Sequence, residues 1–155
     1  MESAVREALL SICGKTGTPV YAYDAGAIRN QIGLLKSTLP SNVGVYYSMK
    51  SNPNLGMVSF ITQYTDGIEV SSEGEIYIAL KAGVNPGKIL FSGPGKTRGE
   101  IEYALGKDIG YIAAESETEL GVIEKAAEQK NKKPNVLLRV NPLNESLGAR
   151  IKMGG

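Results

Sequence analysis

The sequence predicts an α/β protein of about five βα units whose strands run parallel. Three observations predict it. Short apolar runs recur at Val43 to Met49, Asp66 to Val70, Lys88 to Phe91, Gly110 to Ala114 and Val136 to Val140. Their starts lie about 22 to 26 residues apart, the length of one strand, one helix and two loops. Helical spacing fills the gaps between them, and a hydroxyl-x-x-Glu signature opens three of the helices. Such a series forms either an open doubly wound sheet or the first five units of an eight-stranded barrel, which needs about 250 residues. No G-x-G-x-x-G follows the first strand, so a dinucleotide site of the usual kind lacks support.

Each element has its own local reason. Thr18-Pro19-Val20-Tyr21-Ala22-Tyr23 alternates like a strand, and Asp24 then caps a helix carrying Ile28, Leu35 and Leu39. After the first apolar run, Leu55, Val58 and Ile61 share a helical face. Ile76, Ala79 and Leu80 follow, then Ile101, Ala104 and Leu105, then Leu120, Ile123 and Ala127. Ser72 to Glu75, Thr97 to Glu100 and Ser116 to Glu119 each fit a capping box, with the hydroxyl on an early N–H and the glutamate reaching back. Gly83 with Asn85-Pro86-Gly87, then Gly106, then Pro134 stop the helices before the next strand. Gln129 to Pro134 is the linker-like stretch, and Asn144 to Gly155 reads as loop.

Composition narrows the class. The 155 residues hold 17 lysines and arginines against 16 acids, a net charge of +1, which predicts neither a nucleic-acid nor a membrane-surface partner. Hydrophobic residues at 42% and charged residues at 21% describe a core-forming chain. There is no histidine, so His-ligated metals and His-based triads are excluded from this segment. The single Cys13 excludes an internal disulfide and a cysteine-built zinc site. Met1 to Cys13 carries Glu2 and Glu7 without a long apolar run, so no signal peptide is expected, and a reducing, cytoplasmic setting follows.

In both candidate architectures the working end is the carboxyl end of the strands. Lys50 follows the run Val43 to Met49, and strand alternation groups it with Gly44, Tyr46 and Ser48. A partly desolvated amine there can attack a carbonyl to form a Schiff base, although many strand-end lysines are simply solvated. Glu69 closes the second strand and needs a partner if buried. Glu75 is either a cap or a carboxylate turned to a cofactor. Arg139 interrupts Val136-Leu137-Leu138 and Val140, where a guanidinium either pairs with an anion or snorkels outward. Ser92-Gly93-Pro94-Gly95-Lys96 fails the P-loop spacing and reads as a tight turn feeding the Thr97 cap. Cys13 reads as packing.

Tyr47-Ser48-Met49-Lys50-Ser51-Asn52 resembles the Y-A-x-K-A-N strand end of the pyridoxal-phosphate decarboxylases of the alanine-racemase-like fold, the diaminopimelate, ornithine and arginine decarboxylases. Thr18 to Asp24 resembles that family's T-P-x-Y-x-Y-D, and Ile68 to Glu75 its F-D-V-A-S-x-G-E. Ile89 to Lys96 and Leu138 to Pro142 match its third and fifth strands, in order. The resemblance covers residues 18 to 142. It implies the N-terminal part of a TIM (β/α)8 barrel over residues 25–155. Residues 1–24 would then be an N-terminal segment with a strand belonging to a C-terminal β domain, and the rest of the barrel and that domain are missing.

It further implies pyridoxal 5'-phosphate as cofactor, Lys50 as the catalytic lysine that carries it, and Glu69, Glu75 and Arg139 lining its pocket. The implied reaction is decarboxylation of an amino acid, and the implied assembly is a homodimer with sites built across the interface. Ile151-Lys152-Met153-Gly154-Gly155 differs from the family's usual S-K-F-G and resembles the branch that acts on carrier-linked or otherwise unusual amino acids. The family's ring-stacking histidine, glycine-rich phosphate loop and acid facing the pyridine nitrogen come after the fifth strand. The intact protein is therefore expected to have about 400 residues, and 155 residues alone are expected to be inactive. A non-catalytic pyridoxal-phosphate-binding homologue and an alanine-racemase-like enzyme are the alternatives. A racemase would be rich in alanine and tyrosine after the lysine, where this chain has Ser51-Asn52-Pro53.

Overall fold

The computed structural model describes residues 3–140, and the chain divides into two compact units, Met1–Thr38 and Leu39–Gly155. The first unit holds two helices, α1 (Ser3–Thr16) and α2 (Ala25–Thr38). The sequence reading did not anticipate α1, although Ala, Arg, Glu and Leu dominate its first two turns and favour a helix. Gly17 ends it with φ +79°, a conformation glycine adopts without steric cost, and its N–H reaches Cys13 O at 2.9 Å. Asp24 caps α2 as expected, its Oδ1 accepting from Ala27 N at 2.9 Å. Residues 18–24 are expected to pair within a β domain that lies outside this chain. They form no strand among the described residues and run irregularly between the helices. An alternating pattern becomes a strand only when a neighbour supplies the ladder's hydrogen bonds, and no described strand does so here.

The second unit is the anticipated βα series. Strands β1 (Tyr46–Ser48), β2 (Gly67–Val70), β3 (Ile89–Phe91), β4 (Tyr111–Ala114) and β5 (Asn135–Leu138) pair parallel in sequence order. Helices α3 (Leu55–Ile61), α4 (Glu73–Lys81), α5 (Arg98–Gly106) and α6 (Glu117–Lys130) lie between consecutive strands. A sheet whose strands follow chain order without reversal is the sheet of a barrel and not of a doubly wound fold, which changes direction at a switch point. The structure thus decides between the two architectures that the repeat left open.

Strand limits are shorter than the apolar runs, for local reasons. Asp66 Oδ2 accepts the Val45 N–H at 2.7 Å, so β1 begins at Tyr46 and not at Val43. After Ser48 the chain tightens into a 3₁₀ turn, Met49–Ser51, sealed by Asn52 N on Met49 O at 3.0 Å and Ser51 Oγ on Ser48 O at 2.7 Å. Alternation separates the sheet faces. Ile68, Val70, Ile89, Phe91, Ile112 and Ala114 are buried with Val58, Ile76, Ile101 and Ile123 of the helices. Tyr46, Ser48, Gly67, Glu69, Leu90, Tyr111, Ala113 and Leu137 occupy the other face by register. Gly67 is required there, because a Cβ would collide with the Tyr46 ring and the Lys88 carbonyl.

The caps vary on the expected theme. Thr97 and Glu100 form the full box on α5. Ser72 and Ser116 accept from Glu75 N and Glu119 N, but the two glutamates reach one residue further back, to Ser71 N and Glu115 N, each at 2.7 Å. Asn144 to Gly155, read as loop, lies outside the described residues. No helix among the described residues is long and apolar enough to cross a membrane.

Candidate active site

The parallel sheet places the five polar strand ends along one edge. Lys50 stands in the 3₁₀ turn that follows β1, with Met49 fully buried beneath it and its own side chain exposed. Met49 anchors the turn in the core, so the lysine is carried by packing and not by a mobile loop. Glu69 lies opposite Ser48 in the β1–β2 register, on the face away from the helices. Ser92, just beyond β3, donates to Glu69 Oε1 at 2.6 Å, while Ser92 N continues the ladder to Val70 O at 2.8 Å.

The electrostatics of Glu69 summarise the cluster. Burial pushes its carboxyl up, but the hydroxyls of Ser92 and Ser48 and the charges of Lys50 and Arg139 outweigh burial and hold it below its ordinary value. Glu69 is therefore ionised at neutral pH, with both cations within electrostatic reach. Arg139 follows β5, its N–H bonded to Ala114 O at 2.9 Å, and its Nη1 meets Glu115 Oε1 at 3.1 Å. The guanidinium is held by a neighbouring strand end rather than snorkelling to water. Glu75 is placed differently. Its carboxylate is taken by Ser71 N at the turn that follows Glu69, a rim position set by the helix start.

Three of the four singled-out residues, Lys50, Glu69 and Arg139, thus come within electrostatic reach of one another. Three further contributors carried no assigned role in the sequence: Ser48, Ser92 and Glu115. Their signal was strand parity, because residues two apart on adjoining parallel strands share a face, but parity becomes informative only once the register is known. Lys96 was also missed. It is the last residue of the anticipated tight turn, in which Gly93 and Gly95 have φ +101° and +87°. Its side chain is 1% exposed, and its ammonium donates to Gly93 O at 2.7 Å and to Glu119 Oε1 at 2.9 Å and lies 5.6 Å from the Phe91 ring centroid.

The residues present fit an anionic aromatic aldehyde. A primary amine is accessible at a fixed strand end, a guanidinium and a carboxylate face the same region, and the enclosed Ser48 Oγ has no hydrogen-bond partner among the described residues. No group of three or more His, Cys, Asp or Glu side chains among the described residues could hold a metal ion.

Comparison with known proteins agrees with that chemistry. The chain is 41% identical over 138 residues to the L-glutamyl-[BtrI acyl-carrier protein] decarboxylase of Niallia circulans, covering 89% of this chain and 32% of the relative. It is 38% identical over 126 residues to the diaminopimelate decarboxylase of Campylobacter jejuni, covering 81% and 31%. The crystal structure of Helicobacter pylori diaminopimelate decarboxylase complexed with L-lysine superposes with a TM-score of 0.78 at 35% identity, over 86% of this chain and 34% of that one. The chain spans about a third of the length of the curated relatives it matches. Residues 25–154 match the pyridoxal binding domain of the pyridoxal-dependent decarboxylases, and the chain belongs to that family.

Proposed function

We propose that the intact protein is a pyridoxal-phosphate-dependent carboxy-lyase acting on an amino acid, with Lys50 as the residue that holds the cofactor. The observation that carries this reading is the placement of Lys50: an exposed amine on a turn anchored by buried Met49, with its charge acting on ionised Glu69. When bound, pyridoxal phosphate supplies an electron sink for the pair left behind by departing carbon dioxide.

The chain's own residues do the rest. Lys50 would hold the group through its ε-amine. Glu69, ionised between Ser92 and the two cations, orients the amine and offsets its charge. Arg139, braced by Glu115, presents a fixed guanidinium to an anionic group. Glu75 sets the turn beyond Glu69 and so shapes the rim of the pocket. The relative named for an acyl-carrier-protein-linked glutamyl substrate supports a carrier-linked amino acid as substrate, and the diaminopimelate decarboxylases support a free one. We also infer a homodimer, a cytoplasmic setting consistent with the lone Cys13, and a separate β domain in which residues 18–24 find their strand partner.

Borohydride reduction of the intact holoprotein, followed by peptide mapping, tests the reading. Pyridoxyl is expected on Lys50. Lys50→Ala is expected to lose the label and at least about a hundredfold in decarboxylation rate. Label on another lysine, or none, overturns the assignment.

A further inference from the structure

Ser48 is the one side chain among the described residues whose buried polar atom has no hydrogen-bond partner. A buried hydroxyl left unpaired is destabilising, so its retention needs a reason. The register supplies one. Ser48 lies directly opposite Glu69 across the β1–β2 ladder, and two residues later the chain reaches Lys50. Ser92, from the other side, occupies Glu69 Oε1 at 2.6 Å. The carboxylate thus has one oxygen clamped by Ser92, just beyond β3, while Ser48 stands opposite Glu69 in the β1–β2 register. Ser48 already lies close enough to help hold Glu69 ionised, while falling short of hydrogen-bonding geometry.

We propose that Ser48 is a positioning residue: its hydroxyl donates to the Glu69 oxygen that Ser92 leaves open, and so fixes that carboxylate for the cofactor held on Lys50. This rests on the reading of Lys50 as the cofactor lysine. A carboxylate held from both neighbouring strands keeps its plane and its charge in place while Lys50 is engaged and released. Held by Ser92 alone, it turns about that single bond. Ser48 touches neither substrate nor cofactor in this scheme and acts through Glu69.

The test compares the intact protein with Ser48→Ala, Glu69→Gln and the double variant. Pyridoxal phosphate affinity is read by absorbance titration, and the thermal midpoint is read without cofactor. With Glu69 in place, Ser48→Ala is expected to weaken the cofactor about tenfold, the size of one hydrogen bond to a charged group. Made on top of Glu69→Gln, the same change is expected to cost less than about twofold, because the partner charge is gone. The cofactor-free midpoint shows that each variant is folded. Equal losses in both backgrounds, or no loss in either, overturns the proposal. Where Glu69→Gln abolishes binding, Ser48→Thr decides: affinity retained within about twofold supports the hydroxyl's role, and affinity as low as in Ser48→Ala overturns it. Pyridoxyl trapped on Lys50 alongside equal losses rejects only the role of Ser48, whereas no trapping on Lys50 in the parent rejects both readings.

Discussion

Glu69 and Glu100 are carboxylates of different purpose with a shared physical signature. Glu69 is held below its ordinary value against burial by two serines and two cations. Glu100 is held low chiefly by the Thr97 N–H of its capping box, against a smaller contribution from burial, with Glu73 N–H and the Lys96 charge adding to it. A carboxyl lowered in the folded state contributes stability above its unfolded value and loses it as pH falls through the folded one. Urea midpoints are therefore expected to decline below the ordinary carboxylate range, and Glu100→Gln is expected to shallow that decline. At pH 7 the same substitution costs about 1 kcal/mol, the usual worth of a helix cap. An acid limb of unchanged steepness in Glu100→Gln would show that the box does not couple to pH. Glu100 was legible in the letters, because a capping box spans four consecutive residues. Glu69 was legible as a residue needing a partner, but its partners Ser48 and Ser92 are far away in the chain and belong to the register.

Among the elements, the join between the β3–α5 turn and the start of α6 carries a buried ion pair. Lys96 reaches across to Glu119, whose other oxygen takes Glu115 N, and Glu115 in turn braces Arg139. One ammonium therefore links the turn after β3 to the guanidinium after β5. Removing one partner of a buried pair leaves an uncompensated charge, which costs about 3 kcal/mol or more, whereas replacing both is far milder. Lys96→Met is expected to destabilise by about that amount in urea titration, and Lys96→Met with Glu119→Gln to recover most of the loss. A double variant as unstable as the single one would remove the pair from the account. The turn itself was foreseen from its glycines, but its lysine was passed over, because burial of a surface-type residue is invisible without the helix that covers it.

At the scale of the whole chain, the absence of histidine from these 155 residues has a consequence of its own. With no side chain whose ordinary value lies between pH 6 and 8, stability is expected to be flat across that interval and to fall only on the acid side. Thermal midpoints that move by more than about 2 °C between pH 6 and 8 would reveal a shifted group elsewhere. Any neutral-pH dependence of decarboxylation in the intact protein must then come from the cofactor, the substrate or residues outside this segment, which has no imidazole to supply it.

The letters alone determined what is set by neighbours in the chain. Period-2 apolar runs, 3.6-period helix faces, serine and threonine caps and glycine stops laid out the βα series in order. The motif around Lys50 marked its chemistry. Tertiary structure decided what depends on who lies alongside. It showed strands adding in chain order, hence an arc of a barrel, and it denied residues 18–24 a ladder among the described residues. It also opposed Ser48 to Glu69 and buried Lys96 against Glu119. The division has one cause. Propensity and capping act over a few bonds, whereas strand register and the burial of charge are properties of pairs that lie far apart in the chain, and a linear pattern does not record which pairs meet.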